Sequence, residues 1–195
     1  GGVYTSIQTG QRDEWTTESN YKFRLSACRE PLLAWLEANP DVIQPRSMYE
    51  HILAEVRAGL SDLSVSRLAS RLSWGIPVPH DPTHTMYVWI DALVNYLTAL
   101  GYPSAMHGWP VDAHIVGKDI VRFHAIYWPA FLMAAGLPLP RTIVAHSHWT
   151  VEKTKMSKSR GNAINPFDAI ETYGVDTLRC YRLRRGGPIG ADAAD

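Results

Sequence analysis

The sequence has 195 residues, 46% of them hydrophobic, and its 19 basic and 19 acidic side chains give zero formal net charge. This apolar fraction is ordinary for a globular protein, and the length predicts one domain or one and a half. Zero net charge argues against a domain that binds nucleic acid through its overall charge, and no apolar run is long enough for a membrane helix.

The cysteines and the first residues narrow the class further. Cys28 and Cys180 are far apart and form no Cys-x-x-Cys pair, so by themselves they make no zinc site. Two unpaired thiols without a secretory signal favour a reducing compartment. Because Gly1 and Gly2 do not resemble a natural start, we expect a soluble piece of a longer protein.

Two helices are predicted before residue 60. A proline suited to a first turn, followed by leucines on one face, predicts a helix over residues 31–38. Ser47 and Glu50 fit a capping box, and Gly59 fits a C-terminal stop. The second helix is therefore expected between Ser47 and Gly59.

The residue composition of the chain changes at Trp74, where prolines become frequent. Three prolines within residues 74–82 predict an extended, turning path and exclude a helix. The short apolar run at residues 86–90 is interpreted as a buried strand.

A βαβ unit is predicted downstream. Residues 113–116 form an apolar strand candidate, residues 121–135 an apolar helix, and residues 142–145 another strand. Two strands joined by a helix at this spacing predict a parallel sheet with a right-handed crossover.

A helix opened by Asn165 and closed by Gly174, and a second over residues 175–185, complete the predicted elements. Residues 151–185 contain eight Lys/Arg and four Asp/Glu. This local excess of positive charge fits a solvated face, a polyphosphate site or a general RNA-binding patch.

Ligands of open parallel sheets bind beyond the carboxyl ends of the strands. That edge is expected to carry Asp91 and Ala92, residues 117–120, residues 146–148 and, just beyond, the loop 155–159. These motifs are spread over seventy residues but converge on one face.

The loop Lys155-Met156-Ser157-Lys158-Ser159 places two ammonium groups three positions apart among small residues. A movable point charge of this kind suits phosphates while a phosphorus–oxygen bond breaks. The same segment can also be interpreted as a solvent-exposed, charged turn without a functional role.

Two other groups of residues have a structural and a functional interpretation. Gly117 and Asp119 fit either a glycine turn into a helix or a nucleotide site, where the carboxylate accepts from ribose hydroxyls. Trp89, Tyr96 and His124 fit either a core or an aromatic pocket suited to a flexible thioether.

Together these segments resemble the methionyl-tRNA synthetase family of class I aminoacyl-tRNA synthetases. The loop matches the "KMSKS" signature of the class, which alone indicates no particular amino acid. The family resemblance is carried by residues 18–26, 63–67, 74–79, 87–92, 116–124, 155–162 and 173–179.

The resemblance implies an α/β fold, the second half of a Rossmann-type parallel-sheet domain with helical segments before and after. It implies ATP-dependent activation of methionine to methionyl-adenylate and transfer to tRNA, with Mg²⁺ accompanying ATP. The resemblance implies catalytic roles for Lys155 and Lys158. It implies a methionine pocket formed by Trp89, Ala92, Leu93, Tyr96, Ile120 and His124. It implies that ATP is bound by Gly117, Asp119, Lys155, Met156, Ser157, Lys158 and Ser159.

The sequence lacks some of the features expected from the family. It contains no His-x-Gly-His string, the other signature of the class. We therefore expect an internal fragment, inactive alone, whose partner is the rest of the synthetase. Residues 1–66 are predicted to end the connective insertion, residues 67–149 to form the Rossmann half, and residues 150–195 to hold the signature loop and begin the stem-contact region.

Residues 146–150 (His-Ser-His-Trp-Thr) resemble mitochondrial members more than bacterial ones. This predicts a location in the mitochondrial matrix, with the cytoplasm as the alternative, and no membrane association. Two other functions stay open: another class I synthetase, for leucine or valine, or a tRNA- or nucleotide-binding relative that has lost catalysis.

Overall fold

The computed structural model describes residues 4–5, 12–13, 17–151, 154–156, 161–185 and 193–194. The α-helices are α1 Arg29–Ala38, α2 Arg46–Ala58, α3 Val88–Thr98, α4 Trp128–Ala134, α5 Pro166–Tyr173 and α6 Val175–Arg185. The strands are β1 Tyr4–Thr5, β2 Arg12–Asp13, β3 Lys22–Phe23, β4 Ile43–Gln44, β5 Leu63–Ser64, β6 Ser66–Leu68, β7 Pro77–Val78, β8 Asp81–Met86, β9 His114–Gly117, β10 Ile143–His146, β11 Trp149–Val151, β12 Thr154–Lys155 and β13 Ala193–Ala194.

The chain divides into two compact units. One consists of Gly1–Phe23 and Leu63–Ala92, and the other of Arg24–Asp62 and Leu93–Asp195. In the part of the chain that the structure describes, no helix is long and apolar enough to cross a membrane.

The second unit contains a three-stranded parallel sheet in the order β4–β10–β9. β10 lies in the centre and pairs with β9 from His114 opposite Ile143 to Gly117 opposite His146. Its inward residues Ile143 and Ala145 are buried. The predicted βαβ unit is confirmed, and with it the α/β fold.

The crossover between β9 and β10 contains three kinds of helical turn. Lys118–Ile120 is a 3₁₀ turn, Phe123–Tyr127 is a π-helical turn, and α4 follows to Ala134. The predicted helix is therefore confirmed in position, but it is not a uniform α-helix. Single-turn π segments inside helices are frequent at functional sites because they redirect side chains.

One sequence prediction about the strands was wrong, and one strand was not predicted at all. Residues 86–90 are not a strand, because β8 ends at Met86 and α3 begins at Val88. A short apolar run does not distinguish a strand from a buried helical turn. The third parallel strand is β4, a two-residue segment that is too short to show a periodic pattern.

The α1 and α2 predictions are confirmed in position and partly wrong in detail. α2 begins at Arg46 after Pro45, and Ser47 makes no capping box with Glu50. Instead, the Glu50 carboxylate accepts a hydrogen bond of 3.1 Å from the Arg46 guanidinium. Gly59 does end α2, with a φ of 115° that favours glycine. Buried side chains between α1 and α2 include Leu32, Leu36, Ile52 and Val56.

The predicted helix pair near the end of the chain is confirmed. The Asn165 side chain accepts from the Phe167 backbone N–H and caps α5, which ends at Gly174 with φ 81°. α6 then runs from Val175 to Arg185.

In the first unit, β6, β8 and β7 form an antiparallel sheet, and β3 pairs with β5. The β7–β8 hairpin confirms the predicted extended path over residues 74–82. The Glu18 carboxylate accepts from the Leu68 backbone N–H at 3.1 Å, which ties the segment before β3 to the end of β6.

His84 holds the same segment against β8. Its Nε2 lies 2.9 Å from the Ser19 carbonyl oxygen, and its Nδ1 lies 3.0 Å from Asp81 Oδ2. Both partners are acceptors, so both ring nitrogens must carry hydrogen when both bonds form. The bond to the Ser19 carbonyl, helped by Asp81, raises the pKa of His84, although burial opposes the rise. Hydrogen bonds from Thr83 and Tyr21 lower the pKa of Asp81 to about 2.

We predict that protonated His84 stabilises the first unit and that this stabilisation is lost at alkaline pH. The folded-state pKa exceeds the unfolded value of about 6.5, so the contribution is complete below that pH and disappears as pH rises through the folded pKa. The difference in Tm between the wild type and His84→Gln should therefore narrow as the pH is raised from about 6 to 9. The exposed His51, changed to Gln, is the matched control. A difference that stays constant or widens with pH would contradict the prediction.

Candidate functional site

The pairing of β9 with β10 brings two side chains together at the carboxyl edge of the sheet. Gly117 lies opposite His146, and each strand is followed two residues later by a polar side chain, Asp119 and His148. His148 Nε2 lies 3.0 Å from Asp119 Oδ1. The sequence predicted that residues 117–120 and 146–148 share this edge, and the structure confirms it. The same prediction was wrong for Asp91 and Ala92, which lie in α3 and follow no strand of this sheet.

Gly117 leaves room for the Asp119 side chain in the position that the structure shows. A Cβ atom at residue 117 would lie 2.7 Å from Asp119 Oδ1, inside van der Waals contact, and 3.6 Å from His148 Nε2. The backbone of Gly117 has a φ of −66°, which any residue adopts. The glycine is therefore explained by close approach of the carboxylate and not by backbone strain.

A second cluster lies behind this edge. The Tyr96 hydroxyl is 2.8 Å from His124 Nε2, and His124 Nδ1 is 2.9 Å from the Ile120 carbonyl oxygen. A carbonyl only accepts, so Nδ1 carries the hydrogen. Burial lowers the pKa of His124, which keeps the ring neutral. Nε2 is then an acceptor, and the Tyr96 O–H donates to it.

An additional histidine, which sequence reasoning missed, supports this cluster. His114 is 5% exposed, and its Nε2 accepts from Trp128 Nε1 at 3.2 Å. The His114 ring centroid lies 4.6 Å from that of Tyr96, and Trp109 makes an edge-to-face contact with Trp128 at 5.8 Å. Burial, and secondarily the neighbouring His124, lowers the pKa of His114 to about 4. A lone histidine at the start of an apolar strand carries no motif, so only the fold reveals its partners.

The remaining predicted pocket residues lie on α3 and in the crossover. Trp89 is half-buried and Ala92 is exposed, both in the first compact unit. Leu93 belongs to the second unit and is 2% exposed. Ile120 is half-buried, and its carbonyl orients His124.

The signature loop is described only at its start. The backbone of Lys155 belongs to β12 and pairs with Thr150 of β11, and Met156 is half-buried. Ser157, Lys158 and Ser159 lie outside the described residues, so their predicted role at the phosphates stays a prediction. The β11–β12 hairpin begins one residue after His148, which links the loop to the sheet edge.

Within the described ranges, no group of three or more His, Cys, Asp or Glu side chains is arranged to hold a metal ion. The described part of the site thus offers a carboxylate, neutral imidazoles, a phenol and aromatic rings. This set suits a neutral, polarisable ligand beside one that carries hydroxyl groups.

Comparison with known proteins identifies the family. Residues 4–194 match the family described as tRNA synthetases class I (M). The chain belongs to this family. It is 54% identical over 187 residues to a probable mitochondrial methionine–tRNA ligase of Schizosaccharomyces pombe. This alignment covers 93% of this chain and 35% of the S. pombe protein. It is 53% identical over 188 residues to the methionine–tRNA ligase of Rickettsia bellii, which covers 94% of this chain and 36% of that protein.

The fold is also that of a solved synthetase. The structure of Mycobacterium tuberculosis methionyl-tRNA synthetase in complex with methionyl-adenylate aligns with a TM-score of 0.89 at 47% identity, over 100% of this chain and 38% of that one. The α/β assignment is thereby confirmed as the Rossmann-type fold of class I methionyl-tRNA synthetases. The chain spans about a third of the length of these relatives.

We predict that Tyr96→Phe raises the pKa of His124. The Tyr96 hydroxyl donates to the neutral ring, so its removal withdraws a bond that favours the neutral form. The variant should also lose about 1–2 kcal/mol of unfolding free energy, because a buried acceptor is left without its donor. An NMR titration of the ring and denaturant unfolding measure the two effects, with Tyr102→Phe at an exposed tyrosine as the control. A fall in the His124 pKa would instead show that the tyrosine accepts from the ring.

Proposed function

We propose that the protein to which this sequence belongs is a methionine–tRNA ligase. It activates methionine with ATP to methionyl-adenylate and pyrophosphate, and it then transfers the methionyl group to the terminal adenosine of tRNA. The observation that carries the proposal is the segment between Gly117 and His124, which brings a sheet-edge carboxylate and a buried neutral imidazole within one crossover. The names of the family's relatives support the same conclusion.

The methionine side chain is assigned to the aromatic cluster. We place it against Trp89, Ala92, Leu93, Tyr96, Ile120 and His124. A thioether is apolar and polarisable, and its sulfur contacts aromatic rings favourably. Burial lowers the pKa of His124 and raises that of Tyr96, so both groups are neutral near pH 7 and leave no uncompensated charge beside the thioether.

ATP is assigned to the edge of the sheet. Adenosine is assigned to the β9 backbone at Gly117, and the Asp119 carboxylate is assigned to accept from a ribose hydroxyl. Mg²⁺ arrives with ATP as part of the substrate. Lys155, Met156, Ser157, Lys158 and Ser159 are assigned to the phosphates.

The activation step needs little covalent chemistry from the protein. A methionine carboxylate oxygen attacks the α-phosphorus in line, the bond from that phosphorus to the bridging oxygen breaks, and pyrophosphate leaves with the electron pair. Holding the reactants in line and stabilising charge on the leaving group provide most of the acceleration. Lys155 and Lys158 supply that charge on flexible stems. In the second step a ribose hydroxyl of the terminal adenosine attacks the activated carbonyl carbon, and AMP leaves.

The mitochondrial matrix is the proposed location. The S. pombe relative is named as mitochondrial, and residues 146–150 have the sequence that led to this prediction. Because the R. bellii enzyme is equally similar, tagging the full protein and imaging it in cells is the direct test of the location.

Amino-acid-dependent ATP–pyrophosphate exchange tests the function. The full protein should show exchange with methionine and little with leucine, isoleucine or valine. Exchange driven by leucine or valine would favour another class I synthetase. Tight ATP binding without any exchange would favour a non-catalytic relative.

We predict that Lys158→Ala lowers the rate of methionyl-adenylate formation by roughly 10²–10³, the usual effect of removing one well-placed donor to developing charge. The affinity for methionine should change far less, because the lysine is assigned to the leaving pyrophosphate. Single-turnover adenylate formation and methionine binding measure the two quantities. Lys22→Ala, at an exposed lysine on β3, is the matched control. A comparable loss in methionine affinity would contradict the assigned role.

A further inference from the structure

His148 contacts Asp119, the candidate ribose ligand, and has no role in the function proposed above. Its Nε2 lies 3.0 Å from Asp119 Oδ1, within hydrogen-bond distance, although the two residues are 29 positions apart. A carboxylate only accepts, so Nε2 carries the hydrogen in this contact. The sequence grouped His148 with the sheet edge but gave it no role.

The two partners differ in exposure. The His148 side chain is 17% exposed, whereas the Asp119 side chain is 47% exposed. The imidazole is therefore held by its surroundings, and the carboxylate reaches towards solvent where a ligand would arrive. In such a pair the less exposed ring can orient the more exposed carboxylate.

Gly117 provides the space that the carboxylate occupies beside His148. A Cβ atom on residue 117 would lie only 2.7 Å from Asp119 Oδ1 and 3.6 Å from His148 Nε2. Oδ1 therefore lies close to both the β9 backbone and His148. A carboxylate has about four lone-pair sites on its two oxygens, so it can accept from His148 and from a hydroxyl donor together.

We propose that His148 is a positioning residue that orients the Asp119 carboxylate towards the ribose of ATP, and that it thereby strengthens the preference for ATP over deoxy-ATP. This inference rests on the proposed function. In metal sites, outer partners that fix the orientation of a ligating carboxylate or imidazole affect affinity by about 10–100-fold. We expect the same physical reason to apply, at the lower end of that range, to a carboxylate that accepts from a ribose hydroxyl.

The experiment compares His148→Leu with His148→Gln in the full protein. Leucine is similar in size but has no hydrogen to donate, whereas glutamine provides an N–H donor at similar reach. ATP, 2′-deoxy-ATP and 3′-deoxy-ATP are each used in methionine-dependent exchange. His51→Leu, at an exposed histidine on α2, is the control for the change itself.

For His148→Leu, we expect the KM for ATP to rise about tenfold while the KM for methionine is unchanged. The preference for ATP over at least one deoxy-ATP should fall by a similar factor. Without His148 to orient it, the Asp119 carboxylate no longer bonds the ribose hydroxyl that distinguishes ATP from deoxy-ATP. His148→Gln should retain the preference to within about threefold, since it restores the donor. In an Asp119→Ala background, His148→Leu should have no further effect on the preference.

The outcomes separate the inference from the function on which it rests. Normal methionine-dependent exchange with an unchanged preference for ATP in His148→Leu would overturn the inference alone. A higher KM for ATP and for methionine together, with the preference intact, would also overturn it, because a structural role predicts that pattern. Absence of methionine-dependent exchange in the wild type would overturn the proposed function and this inference with it. If His148→Leu does not fold, a loss of preference in His148→Gln would overturn the inference.

Discussion

The parallel pairing of β9 with β10 is the constraint on which the candidate site depends. The register places Gly117 opposite His146, so the chain leaves both strands at the same level. Two residues further on, Asp119 and His148 meet at 3.0 Å. A shift of one residue in this register would separate the pair and turn every inward side chain of β10 outward. The central position of β10, paired on both edges, holds the register in place.

The crossover that follows β9 carries the polar side chains of both proposed binding sites. Its 3₁₀ turn presents Asp119, and its π-helical turn begins where His124 is bonded to the Ile120 carbonyl. Behind it, Trp128 donates to His114, whose ring lies against Tyr96. Each buried imidazole thus has a hydrogen-bond partner that fixes its tautomer, and burial lowers its pKa and so favours its neutral form. Such satisfied polar clusters hold a pocket rigidly, whereas an unpaired buried group would be costly.

The sequence predicted the parts of the molecule whose signals are local. Prolines in residues 74–82, the Asn165 cap and the glycines after α2 and α5 each restrict the backbone through their own chemistry, and the structure confirms them. The segment around Asp119 indicated the family because it occurs together with the other segments that carry the resemblance.

The features that the sequence did not predict depend on residues that are distant in the chain or on very short segments. Residues 86–90 and β4 are too short to show a period, and the partners of His114 and His148 are set by strand pairing. The assigned roles of the pocket and loop residues remain predictions.

The central claim is that one crossover serves both the ribose and the thioether of an adenylate. A crystal structure of the full protein with a non-hydrolysable methionyl-adenylate analogue tests it most directly. A ribose hydroxyl should lie about 3 Å from the Asp119 carboxylate, the distance of a hydrogen bond. The thioether should contact the Tyr96 ring beside His124. An analogue bound elsewhere, with its adenosine away from Gly117 and Asp119, would contradict the account.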